Sequence, residues 1–324
     1  MAFNEFLIGK RERMSWVAET SYGSGGDMAT DGEVVGVNVT IEADWARNYQ
    51  EILTAGADNR NVQGRVKGPK TLPYTMNMTP VNWRWLKYIM AVVDADDGGV
   101  KTHTFTQRNS VLSYNLEWAK RHTTPHVLTT DGNVVKSAVM SFQKATGEGT
   151  EGWISLALAC VGRDVTPSAS VTTLAAGNIT KDPFQFRMVK WTFASSEVFE
   201  VNNGEITIDN GIDENDSRYC NSTYDELLGE PIPKTFRITG RFNVNIKDST
   251  YFDAWDGGIP IAGTNTLLFD RDGTGDDQIL FTFGDFYVFG GVANTTLEGV
   301  TTTDVVWAAD AFASVVARDD ITTY

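Results

Sequence analysis

Pro233-Lys234-Thr235-Phe236-Arg237-Ile238-Thr239-Gly240-Arg241-Phe242-Asn243-Val244-Asn245-Ile246-Lys247 is the stretch on which the fold turns. Phe236, Ile238, Gly240, Phe242, Val244 and Ile246 alternate with Arg237, Thr239, Arg241, Asn243, Asn245 and Lys247. A period of two held over that length predicts an extended strand with one buried and one wet face. An earlier stretch reads the same way: Pro69-Lys70-Thr71-Leu72-Pro73 leads into Tyr74, Met76 and Met78 on one face, against Thr75, Asn77 and Thr79 on the other. Sheets solvated on one side are typically antiparallel, so a mainly β chain follows.

Working outward from these two strands, the neighbouring segments recur in the same order. Gly36-Val37-Asn38-Val39-Thr40-Ile41 precedes the first, and Gly204-Glu205-Ile206-Thr207-Ile208 precedes the second, each separated from it by a long polar stretch. A short helix follows each: Pro80 to Met90 in one half, and Asp248 to Trp255 in the other, where an N-cap residue leads aromatics at helical spacing. Hairpins come next, His103–Thr106 with Leu112–Leu116 and Thr266–Phe269 with Ile279–Phe283. Each half closes on a Trp-led apolar strand ending in Arg-Asp, Trp153 to Asp164 and Trp307 to Asp319. Such order predicts two tandem antiparallel β-sandwich or barrel modules, each with a short flanking helix. The expected boundaries are 1–165 for the first module with its N-terminal arm, a linker over 166–180, and 181–324 for the second. Tyr22-Gly23-Ser24-Gly25-Gly26-Asp27 marks the first 35 residues as an arm rather than core.

The chain has 324 residues, room for two domains of ordinary size, and 41 % hydrophobic content, enough for packed cores. Thirty glycines against nine prolines suit strands joined by tight turns. A net charge of −15 argues against holding nucleic acid by phosphate neutralisation, which needs clustered cations. It leaves room for a surface that DNA slides past. Cys160 and Cys220, the only cysteines, are too isolated for a zinc site or a disulfide framework. Lys10, Arg11 and Arg13 are followed by no apolar core of signal-peptide length, and no run approaches a membrane span. Folding in a cytoplasm without processing, and no membrane partner, are the expectations.

Reactive constellations are scarce. Of the three histidines, His103 falls in a hairpin run, while His122 and His126, four apart, would suit a metal pair on a helix that Thr123-Thr124-Pro125 forbids, so they read as surface loop residues. Asp270-Arg271-Asp272-Gly273-Thr274-Gly275-Asp276-Asp277 resembles the start of a calcium loop, with Asp270, Asp272 and Asp276 as weak ligand candidates. The twelfth position, however, is Phe281 where a bidentate Glu belongs. A Gly/Asp hairpin loop is the simpler reading. No phosphate loop and no nucleophile elbow occurs, so neither an enzyme nor a cofactor is expected. Trp83, Trp85, Tyr88 and Trp118 could form a sugar-stacking platform, but a helix packed on a sheet explains them more simply.

The Gly and Pro-Lys-Thr lead-ins to alternating strands, the short aromatic helix and the Thr-Phe hairpin together resemble the major tail tube proteins of long-tailed bacterial and archaeal viruses. That resemblance implies a β-sandwich or barrel with a flanking helix, with sheets joined edge to edge into a ring and rings stacked into a conduit for DNA. For a duplicated version it implies a trimer with pseudo-sixfold symmetry and no catalytic residues. It also implies an often acidic lumen and a place in the virion tail, assembled in the host cytoplasm. The partners it implies are further copies, tail terminator, tape-measure and tail-tip proteins, with DNA only passing through. The polar stretches Asp44–Lys67 and Asp209–Gly229, with Asp58 and Asp225, are the expected arms towards an adjacent ring. Arg237, Thr239, Arg241 and Asn243 are expected to face lumen or exterior. Competing readings are a capsid-decorating or tail-terminating protein, a two-module carbohydrate-binding protein, and last a hydrolase.

Overall fold

The computed structural model describes residues 12–52, 64–97, 99–120, 126–145, 152–174, 181–198, 200–213, 229–246, 249–290, 293–294, 301–321 and 324. The first half supplies β1 (Glu12–Ala18), β2 (Glu33–Val34), β3 (Val37–Ala43), β4 (Ala46–Ile52), β5 (Gly64–Thr79), β6 (Met90–Asp97), β7 (Val100–Gln107), β8 (Tyr114–Lys120), β9 (His126–Gln143), β10 (Ser155–Gly162) and β11 (Asp164–Ser168). A 3-10 turn, Arg84–Tyr88, follows β5. The second half supplies β12 (Val189–Phe193), β13 (Ser196–Val198), β14 (Val201–Asp209) and β15 (Arg237–Asn245), then the helix α1 (Thr250–Gly257). After it come β16 (Thr266–Asp270), β17 (Gln278–Phe283), β18 (Phe286–Gly290), β19 (Ala293–Asn294), β20 (Thr302–Ala309) and β21 (Phe312–Asp319). All pairings are antiparallel, so the chain is mainly β, as its alternation predicts.

One set of pairings occurs twice. In the first half β1 pairs with β2 and β8, and β8 with β9. There β9 pairs with β11 and β10, β10 with β5, and β5 with β3. In the second, β12 pairs with β13 and β16, and β16 with β17. Strand β17 then pairs with β21, while β18 pairs with β20, β20 with β15, and β15 with β14. Thus β9 alone does what β17 and β18 do together. It crosses between layers at Gly132 (φ 57°), a left-handed conformation that favours glycine, beside the fully buried Asn133. Even the register repeats. Met76 lies opposite Ile41 and Leu158, and Gly240, the matching position after Pro-Lys-Thr, lies opposite Ile206 and Trp307.

The halves then join through both layers. Strand β9 pairs with β14, giving one continuous sheet in the order β18-β20-β15-β14-β9-β10-β5-β3. The hairpin β6–β7, which has no counterpart after α1, adds to the second half's outer sheet at β21, giving β13-β12-β16-β17-β21-β7-β6. At the first junction Gly204 faces Phe142, and a Cβ at 204 would overlap that ring. Phe142 is buried and cannot swing away, so Gly204→Val is expected to cost about 1–3 kcal/mol, read as a fall in the urea midpoint at unchanged slope.

Several local expectations change. His103–Thr106 does not pair with Leu112–Leu116: β7 takes β6 and β21 as neighbours, and β8 takes β1 and β9. Trp307 to Asp319 is two strands, β20 and β21, whereas Trp153 to Arg163 contains only β10, so the shared Arg-Asp endings are not equivalent places. Strand β1 is not part of an arm, because Met14, Ser15, Trp16 and Val17 are all buried. Thr166–Ser168, read as linker, belong to β11. The stretch Asp44–Lys67 is in part a two-stranded ribbon, β4 against the start of β5. Its tip with Asp58, and most of Asp209–Gly229 with Asp225, lie outside the described residues, as do His122, Cys220 and residues 175–180.

Candidate functional site

The aromatic residues that could have stacked on a sugar are spent on packing. Trp83, Trp85 and Tyr88 are buried, and Trp118 is half-buried. Cys160 is a free thiol in the core; burial pushes it up to about 12, and the Tyr114 hydroxyl donates to its sulfur at 3.1 Å. The segment Asp270–Asp277 is the connection between β16 and β17, a hairpin loop. The carboxylates of Asp270 and Asp272 serve the loop itself, while Asp277 binds Arg271 within it and Lys181 outside it. Asp270 Oδ1 accepts the Gly273 amide at 2.8 Å, and Asp272 accepts the Thr274 amide at 3.0 Å and hydroxyl at 2.7 Å. Asp272 is held at about 2: partial burial pushes it up, but the Thr274 bonds, with the Asp270 carboxyl and the Gly275 amide, outweigh it. Asp276 is exposed. Among the described residues no three His, Cys, Asp or Glu side chains converge as metal ligands, and no helix is long and apolar enough to cross a membrane.

His103 is not a surface residue. It is fully buried on β7, with Nδ1 2.7 Å from Asp94 of β6 and Nε2 3.2 Å from Asp319 of β21. Its ring stacks on Tyr324 at 3.7 Å and 7°, and the Tyr324 hydroxyl donates to the second Asp319 oxygen. The cluster ties the first half's hairpin to the last strand of the second half.

The sequence gives no signal for the two ends of the continuous sheet, yet they are its most distinctive surface. Among the described strands β3 pairs only with β5, and β18 only with β20. On β3, Val39 and Ile41 are only partly buried and Ala43 is exposed. Their counterparts on β14, Ile206 and Ile208, are 1 % exposed because β9 lies over that edge with Ala138 and Met140 opposite them. At the far end, Phe289 of β18 is 62 % exposed beside Tyr287. Long unpaired edges with apolar residues invite strand addition.

The outward face of this sheet is mostly small or polar, with Tyr287, Phe289 and Val306 as large apolar exceptions towards the β18 end. One row across it runs Thr40, Asn77, Ala157, Val139, Thr207, Thr239, Ala308. Its cations have acidic neighbours: Arg241 lies 3.6 Å from Glu205, and Arg237 lies opposite Asp209. Asn243 donates to Asp304 at 2.7 Å. Arg237, Thr239 and Arg241 are exposed here, as the alternation predicts.

An antiparallel fold with open sheet edges suits a subunit of an assembly, and comparison with known families is decisive. The sequence model for phage tail tube proteins matches residues 9–321, nearly the whole chain. The chain belongs to the phage tail tube protein family. None of the curated proteins matches it. As a tail tube protein it is a structural component of the virion tail that assembles with itself into a tube.

Proposed function

We propose that this tail tube protein is two copies of one module in tandem, and that three chains close a ring of six modules through their sheet edges. The β9–β14 junction carries this reading. It joins the last strand of the first half's sheet to the first strand of the second half's, and β18 and β3 are the same two strands left open at the ends. Repeating one rotation head to tail generates a closed ring when the rotation divides the circle. The continuous sheet then surrounds the lumen, with its outward, mostly small or polar face lining it and each arginine beside a carboxylate. Such a wall offers phosphates no cluster of unopposed cations, and DNA passes through without sticking. The β4–β5 ribbon is the arm towards an adjacent ring. Tail terminator, tail-tip and tape-measure proteins complete the tail, and assembly takes place in the host cytoplasm.

Electron microscopy of the purified protein tests the reading. Stacked rings with six-fold modulated density and three chains per ring are expected. A protein monomeric at all concentrations, or a ring whose chain number is not three, would sink it.

A further inference from the structure

In the first half, the segment after β5 packs across onto the second half. Trp83 is buried with its ring 4.7 Å from Phe184, 5.3 Å from Phe269 and 6.2 Å from Phe281, and Arg271 donates to the Val81 carbonyl. The element in the same place of the second half is α1, after β15. It is anchored by Tyr251, which packs on Phe193 and Phe242. Its other large side chains are left about half exposed: Phe252 is 53 % and Trp255 44 % exposed, their rings 5.4 Å apart, and Ile259 just beyond is 68 % exposed.

We propose that this face of α1 is a docking surface for a second copy of the chain, seated on that copy's β8 and β9. The proposal rests on the ring reading and names a contact that edge pairing alone does not include. In the second half the strands under Trp83 are β16 and β17, with Phe269 directly opposite Ile279 and both fully buried. Their counterparts are β8 and β9, where Trp118 lies directly opposite Leu128 and both are only half-buried. The chain therefore carries both an uncovered apolar plug and an under-covered apolar seat, each at a position whose counterpart is filled within the chain. Continuity with β18 places the plug correctly, since α1 packs beside that edge strand. Residues 258–265 contain no strand, so no hairpin intervenes where the first half has β6–β7. Apart from the Lys120 ammonium 5.1 Å from the centre of the Trp118 ring, both surfaces are apolar, so the contact is held by burial of aromatic area, which dominates the energy of such interfaces.

The test uses the full chain. Phe252→Ser/Trp255→Ser removes only exposed side chains, so its unfolding midpoint should match that of the unsubstituted protein. Its concentration threshold for tube formation should rise at least about tenfold. In parallel, a benzophenone amino acid at position 255, illuminated in assembled tubes, should give cross-linked peptides joining α1 to residues 114–130 of another copy. Tubes forming at the original threshold, or cross-links mapping elsewhere, would overturn the proposal while leaving edge pairing intact. If the unsubstituted protein forms no rings at all, the ring reading fails, and this contact with it.

Discussion

Tubes assembled from an Ala43→Cys/Val288→Cys variant, in a Cys220→Ser background, should run after oxidation as covalent closed trimers on a non-reducing gel. Either single variant should run as a monomer. The pair follows from the register. Within the chain, Ala138 pairs with Leu158 on one side and meets Ile208 across the junction on the other. Val288 pairs with Trp307, the counterpart of Leu158, and so takes the place of Ala138. Ala43 pairs with Tyr74, as Ile208 does with Ile238, and so takes the place of Ile208. Residues directly opposite in an antiparallel pair have Cβ atoms about 4.5–5.5 Å apart, close to disulfide reach. Cys160 is buried and does not compete. Tubes in which the two cysteines stay reduced would refute the shared register, whatever their symmetry.

The second large effect is expected at His103→Ala. Both imidazole nitrogens face carboxylates, and Asp319 is itself buried. Removing the imidazole leaves a buried Asp319 oxygen without its hydrogen-bond partner, which costs about 1–3 kcal/mol before the void left beside Tyr324 is added. The urea midpoint should fall accordingly. Because the cluster fastens β7 to β21, a shallower transition is also expected as the halves lose their common cooperativity. A loss under about 1 kcal/mol would show that the cluster contributes little to joining the halves.

The two strands that opened the sequence reading were legible because alternation is a local signal. The Pro-Lys-Thr lead-ins even carried the correct register, since Tyr74 and Ile238 occupy matching places in the sheet. Trp83, Trp85 and Tyr88 were legible as core because their spacing on a short helical turn is also a local signal. What escaped was non-local. The burial of His103 depends on Asp94, nine residues away, and on Asp319, 216 residues away, and no spacing announces either. The partner of β7 is β21, at the far end of the chain, so the nearest apolar run was the wrong choice. Strand β9 hides its passage between layers because its 18 residues run on as one strand through both, and only the pairings show that its neighbours change part-way. The open edges were invisible for a further reason: a strand's sequence says which face is buried, not whether its backbone has one neighbour or two.

The hairpin β6–β7 occurs in one half only, and in the proposed ring that asymmetry has a mechanical consequence. Joints inside a chain are fastened through two layers and a buried histidine, while joints between chains have one layer and a helix. The ring is then a hoop of three stiff staves with three softer seams. Bending strain in a tail would collect at the seams, where backbone pairs can part and re-form, and would spare the staves. A sixfold ring of single modules has no such alternation. Fusing modules in pairs thus fixes where the tube wall can breathe.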